Sequence, residues 1–197
     1  MCLDRIEMQP VDGGSTRGHG VSPVSALPDF RRIVNNERRV PEMMGCRYLS
    51  ELPPGARILV SACLLGVSCR YDGGASADSR VAALAGRFAL IPVCPEQLGG
   101  LPTPRRCVEL VSGRAMSRDG LDLTEAFSRG AAQALHIARM TGVRAAVLKP
   151  RSPSCGINLI YDGTFSGTLV PGLGMLADLL AREGLALIAP DDLEGTG

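Results

Sequence analysis

From residue 56 onward, apolar runs alternate with amphipathic stretches, and the rhythm predicts a strand-helix-strand chain. "RILVSACLLG" (57–66) and "FALIPVCPE" (88–96) hold continuous apolar runs, the pattern of strands buried on both faces. "RAAVLK" (144–149) predicts a third strand and "LALIA" (185–189) a last short one, while "CVELVSG" (107–113) is expected to add an edge strand. Between them, "ADSRVAALAG" predicts a short helix capped by Ser76 or Asp78 and stopped at Gly86. The longest helix falls on "DLTEAFSRGAAQALHIARMTG", with Phe127, Ala131, Ala134 and Ala138 on one buried face and Gly142 at its end. "GMLADLLAREG" predicts a further helix.

Strands alternating with helices define the fold class: α/β, a single domain with a mostly parallel sheet flanked by helices in a Rossmann-like three-layer arrangement. Residues 1–54 lack this rhythm. "VDGGSTRGHGVSPVSALPD" is rich in glycine, proline and serine, and "RRIVNNERRVPEMMG" alternates charge with few core candidates. They read as an irregular N-terminal extension with a short helix near Phe30 to Glu37, preceding an α/β domain over 55–197.

Composition narrows the class. At 197 residues and 45% hydrophobic, the chain suits one good core. A formal net charge of +1 gives no reason to propose a nucleic-acid surface, which usually needs a clustered basic face, and argues against a large nucleic-acid partner. No apolar run approaches the roughly 20 residues of a spanning helix, and the N-terminus lacks a secretory pattern, so a cytoplasmic location without a membrane partner is expected. Seven cysteines, an odd number in a chain of this length, do not resemble a secreted disulfide framework. Each is then a buried thiol, a metal ligand or a nucleophile.

In a parallel sheet, ligands gather at the carboxyl ends of the strands. Cys63 follows "RILVSA", Cys94 follows "FALIPV" and Cys155 lies shortly after "RAAVLK". Three strands thus deliver a cysteine to one edge, a register that scattered core cysteines have no reason to share. Cys69 and Cys107 lie in or near the same loops, whereas Cys2 and Cys46 fall in the extension. Thiolates are soft ligands, suited to zinc, cuprous copper or iron–sulfur clusters. A structural zinc site is usually built from close pairs such as CxxC, and none occurs; His19 and His136 sit in the extension and on a helix. Composition leaves iron and zinc both open and indicates a thiolate site with an incomplete shell.

The flanking residues add chemistry. In "CPEQLGGLPTPR", Glu96 is either a general base or a helix-start carboxylate paired with a nearby arginine, and the glycine pair after it would let backbone amides approach a bound group. In "KPRSPSCG", Ser152 and Ser154 offer hydroxyls, and Lys149, the only lysine of the chain, stands at a strand end where it would hold an anion or a developing negative charge. Tyr71-Asp72-Gly73 and Tyr161-Asp162-Gly163 repeat one turn sequence, a weak sign of internal repetition.

"SACLLGVSCRYDGG", "PVCPEQLGGLPTPR", "LKPRSPSCG" and "YDGTFSGTLVPGLG" together resemble the domain-of-unknown-function 523 family, whose characterised members are thiouracil desulfidases. The resemblance covers about residues 56–190. It implies a [4Fe-4S] cluster on three cysteines, here Cys63, Cys94 and Cys155, with Glu96 as catalytic carboxylate and Ser152 or the neighbouring Ser154 as catalytic hydroxyl. Cys107 stands where a less reactive residue is expected after "TPR". The implied reaction removes sulfur from a small thiolated uracil-type base or nucleotide by a non-redox route. In this expectation the substrate sulfur would bind the open iron, Glu96 would activate water, and Ser152 or Lys149 would assist. Two other classes compete: a non-catalytic metal-binding or sensing protein using Cys63, Cys69, Cys94 and Cys155, and a metal-free thiol enzyme, which lacks a partner histidine. Oligomeric state has no signature in the sequence.

Overall fold

The structure is a computed structural model that describes residues 45–193. Cys2, His19 and the helix expected over 30–37 lie outside the described residues, as does the side chain of Cys46. The elements run α1 (Gly45–Glu51), β1 (Arg57–Ser61), α2 (Ser79–Ala83), β2 (Ala89–Val93), α3 (Pro95–Leu98), β3 (Val108–Val111) and β4 (Arg114–Ser117). They continue with α4 (Thr124–Thr141), β5 (Ala145–Val147), β6 (Leu159–Tyr161), β7 (Leu169–Pro171), α5 (Met175–Arg182) and β8 (Ala186–Ile188).

The four apolar runs form one parallel sheet in the order β2-β1-β5-β8. Successive side chains alternate between its faces. Ile58, Val60, Ala145 and Val147 pack with Leu49 of α1, Leu52 beyond it, Val81 of α2 and Phe88. Leu59, Ala146 and Leu148 pack with Ala131, Ala134 and Ala138 of α4 and with Leu176 and Leu180 of α5. Both faces are covered, which is why these strands carry no polar alternation. The predicted three-layer α/β domain is the one observed, and the last part of the stretch read as irregular carries α1. Asp78, rather than Ser76, caps α2, accepting from the backbone N–H of Arg80 and Val81.

"CVELVSG" does not extend this sheet. Its strand, β3, pairs antiparallel with β4 across Ser112-Gly113, both at positive φ (49° and 77°), a tight reversal that closes a separate hairpin. A second hairpin, β6 with β7, was not foreseen. The two Tyr-Asp-Gly copies share turn chemistry only: Asp72 accepts from Gly74 N and Asp162 from Thr164 N, both at 3.0 Å, two residues on.

Of the glycine pair after Glu96, Gly99 serves packing and Gly100 takes a positive φ (85°), and neither lines the cavity described below. A Cβ on Gly99 would lie 2.2 Å from the Ala126 carbonyl oxygen of α4, and one on Gly130 of α4 would lie 1.8 Å from the Pro95 carbonyl oxygen of α3. Backbone meets backbone here, so α3 and everything it carries is seated on α4. Gly130→Ala is expected to lower stability by about 1–3 kcal/mol despite the better helix propensity of alanine. Thermal unfolding checks this; an unchanged or raised midpoint would mean that α3 yields freely.

Candidate active site

Strand order makes the site. The connections leave β1 toward β2 on one side and arrive at β5 on the other, so a crevice opens at the carboxyl ends of β1 and β5. A cavity of ≈ 490 Å³ lies there, and Cys63, Cys94, Glu96, Lys149, Ser152 and Cys155 all line it. Cys69 and Cys107 line it too; Ser154 does not. None of these five cysteines is in a disulfide. Among the described residues, no three His, Cys, Asp or Glu side chains are grouped to hold one metal ion. His136 is exposed on α4, away from the cavity.

Each cysteine is positioned by a different local device. Cys63 sits in the short 3-10 turn Ala62–Leu65 that directly ends β1, and its carbonyl accepts from Gly66 N and Ser76 N. Cys94 occupies the extended residue before α3, with Pro95 opening the helix. Cys155 lies in the loop before β6, and the N-terminus of α5 grips that loop. Met175 N donates to the Pro153 carbonyl at 2.9 Å, and Leu176 N and Ala177 N donate to that of Ser154 at 2.9 and 3.3 Å. Helix N–H groups without an intrahelical partner thereby hold the cysteine loop.

Burial sets the thiol electrostatics. Cys63 is pushed above its ordinary value chiefly by burial, with Lys149 pulling the other way and Cys94 adding to the rise. Cys155 is raised further, again mainly by burial, against a hydrogen bond from Ser61 and with Cys63 and Glu96 adding. Cys69 is pushed up to about 12 by burial and by Cys94, whose thiol is hydrogen-bonded to it. Lys149 moves down, principally through desolvation. Its backbone N–H donates to Ser61 Oγ at 3.0 Å and its Nζ to the Pro150 carbonyl at 3.2 Å.

Of the two readings of Glu96, the helix-start carboxylate paired with a nearby arginine is the one observed. Arg105 Nε donates to Glu96 Oε2 at 2.6 Å, and the pair is nearly buried, with side-chain exposures of 6% for Arg105 and 13% for Glu96. Arg105 also donates to the Cys69 carbonyl at 2.8 Å, which joins α3 to the Cys69 loop. Ser154, 2% exposed, donates its hydroxyl to Glu96 Oε1 at 3.2 Å. Ser152 Oγ accepts from Ser154 N and Cys155 N, both at 3.1 Å, and faces the cavity. The structure thus separates the two serines: Ser154 braces Glu96 from behind, and Ser152 is the hydroxyl at the cavity wall.

Sequence reasoning missed the opposite wall. Glu109 of β3, Arg118, Tyr161 of β6 and Phe165 line the cavity, all contributed by the hairpins or their flanks. A charged residue amid the valines and leucine of "CVELV" was the available signal for Glu109.

A parallel α/β domain with convergent thiols, a clamped carboxylate and a hydroxyl in one switch-point cavity marks that cavity as the candidate active site. The chain belongs to the 2-thiouracil desulfurase family, whose model matches residues 58–192. It is 38% identical over 146 residues to the uncharacterized protein YbbK of Bacillus subtilis (strain 168), covering 69% of this chain and 97% of that protein. Among solved structures, the [4Fe-4S]-dependent thiouracil desulfidase TudS (DUF523Vcz) is 42% identical with a TM-score of 0.66, covering 70% of this chain and 93% of that one. The family resemblance of the four motifs is borne out.

Because the Arg105–Glu96 pair is nearly buried, removing one partner strands the other. Arg105→Ala is expected to cost about 3–5 kcal/mol of stability, whereas Arg106→Ala, in an exposed pair with Asp119, should cost less than about 1 kcal/mol. Urea unfolding of the two variants checks the contrast; equal losses would deny the clamp its weight.

Proposed function

We propose that this protein removes sulfur from thiolated uracil-type compounds, using a [4Fe-4S] cluster held by Cys63, Cys94 and Cys155. The observation that carries the reading is the convergence of these three thiols from three strand ends on one cavity that also holds Glu96 and Ser152. The donor set fits the group. Three soft thiols, none in a disulfide, line one cavity, the donor chemistry that holds an iron–sulfur cluster. When bound, such a cluster with one iron free of protein ligands supplies a Lewis-acid position that polarises a carbon–sulfur bond.

The chain's own residues supply the rest. Arg105 and Ser154 fix the Glu96 carboxylate from two sides, leaving lone pairs to orient a water and take its proton. Ser152 already accepts two backbone N–H groups, so its proton is what it can offer to the substrate or to developing negative charge. Lys149 keeps donors beyond its bond to Pro150 for the same purpose. Water replaces sulfur at the ring carbon, sulfide leaves, and no net electron transfer is required.

Charge favours an anionic substrate. Lys149, Arg118 and Arg151 line the cavity, and among the described residues none has a carboxylate within ion-pair distance. Tyr71, Tyr161 and Phe165 add aromatic surface to the same cavity. A thiolated nucleotide, with a flat ring and a phosphate, satisfies both features.

Protein prepared without oxygen is expected to carry about four irons and four acid-labile sulfides per chain and to convert 2-thiouracil or its nucleotide to the oxygen form with one sulfide released. Stoichiometric zinc would overturn the reading in favour of a closed thiol site including Cys69, and no metal after anaerobic reconstitution would overturn it without favouring any metal site. Alanine at Cys63, Cys94 or Cys155 should lower iron content, and alanine at Cys69 or Cys107 should not. Glu96→Gln should keep the iron and lose turnover by about 100-fold or more.

A further inference from the structure

We propose that Glu109 is the residue that reads a hydrogen-bond donor of the ligand, a specificity role distinct from that of Glu96; the inference rests on the functional reading above. Glu109 is 6% exposed, and among the described residues no arginine, lysine or histidine lies within ion-pair distance of it. Burying a carboxylate without a cation is costly unless its oxygens are served by donors. One oxygen is served: Oε2 accepts from Gly163 N at 3.1 Å and Phe165 N at 2.9 Å. Oε1 has no partner among the described residues, and the side chain lines the cavity.

Geometry fixes that oxygen in place. The turn it grips is tight: Gly163 has φ +87°, Phe165 has φ +57°, and a Cβ on Gly163 would lie 2.7 Å from the Leu110 carbonyl oxygen. Phe165, held by the same carboxylate, lines the cavity beneath the Arg118 guanidinium, 5.7 Å from its ring centre. One side chain therefore sets an aromatic wall and presents a fixed acceptor beside it. A carboxylate oxygen accepts and never donates when ionised, so it selects a hydrogen-bond donor on the ligand. A thiolated uracil ring offers an imide N–H, and a nucleotide also offers sugar hydroxyls.

Glutamine separates this role from a structural one. In Glu109→Gln the amide oxygen can still take the Gly163 and Phe165 N–H groups, while the pocket-facing atom turns from acceptor to donor. The holoenzymes of wild type, Glu109→Gln and Glu109→Ala are assayed with 2-thiouracil and its ribonucleoside 5′-monophosphate, and titrated calorimetrically with uracil and uridine 5′-monophosphate. Glu109→Gln is expected to raise KM and weaken product binding by about 10- to 100-fold, with kcat within a few-fold and with wild-type iron content and thermal midpoint. Equal losses for base and nucleotide identify the ring N–H as the donor; a loss confined to the nucleotides identifies a sugar hydroxyl. Wild-type KM and binding in Glu109→Gln, with only Glu109→Ala impaired, would overturn the proposal and leave Glu109 a turn staple. Glu109-dependent binding without turnover by the wild type would sink the desulfidase reading and leave this inference standing.

Discussion

Parallel pairing of β2, β1 and β5 is the constraint on which the site depends. In an antiparallel sheet, the residues that follow neighbouring strands emerge at opposite edges. Here all three strands end together, so Cys63, Cys94 and Cys155 arrive on one side although they are far apart in sequence. The reversal of strand order around β1 then opens the crevice between their loops. A sheet buried on both faces also leaves this edge as the place where polar chemistry is tolerated. Ser61, the last residue of β1, shows the transition: it is buried at 2%, and its hydroxyl takes the Lys149 N–H.

Delivery to an edge does not fix a side chain, and each loop needs its own restraint. α3 is too short to be stable alone, and its position comes from backbone contact with α4 at Gly99 and Gly130. The Cys155 loop is held by the N-terminal amides of α5, which leaves those amides satisfied without a side-chain cap. Arg105 joins the Glu96 carboxylate to the Cys69 carbonyl, so a charge pair locks one loop to another. Helix packing, helix termini and an ion pair thus hold three parts of one rim. A site that must stay shaped around three convergent thiols is built on rigid supports rather than on mobile loops.

How much of this the sequence disclosed follows from range. Strands buried on both faces announce themselves locally as apolar runs, and α4 does so by spacing; both were legible, and so was the shared edge of the cysteines, since parallel strands imply it. Asp78 as the α2 cap was one of two readable alternatives. The hairpins were not legible as such, because β6 and β7 have three residues each and β3 and β4 four, too few for a period to stand out. Of the partners of Glu96, a nearby arginine was one of two readable alternatives, and the structure shows it to be Arg105, nine residues on. Ser154, fifty-eight residues on, was hidden, because that pairing cannot be read without the path of the intervening loops. The glycine pair after Glu96 was legible as a close approach, but the approach is made at Gly99 alone and the approaching group is α4.

The division of labour between the two walls of the cavity is the remaining consequence of this topology. The sheet edge contributes thiols, Glu96, Ser152 and Lys149, groups suited to the reacting end of a ligand. The hairpins contribute Tyr161, Phe165, Arg118 and Glu109, groups suited to gripping a flat ring and its substituents. The first wall is rigid because it continues a buried sheet. The second is separate from that sheet and is tied together by Glu109, which bridges β3 to the turn after β6. On the proposed reading, reaction and recognition are carried by different elements. Changes in hairpin side chains can retune which ligand is held while leaving the thiols where parallel pairing puts them.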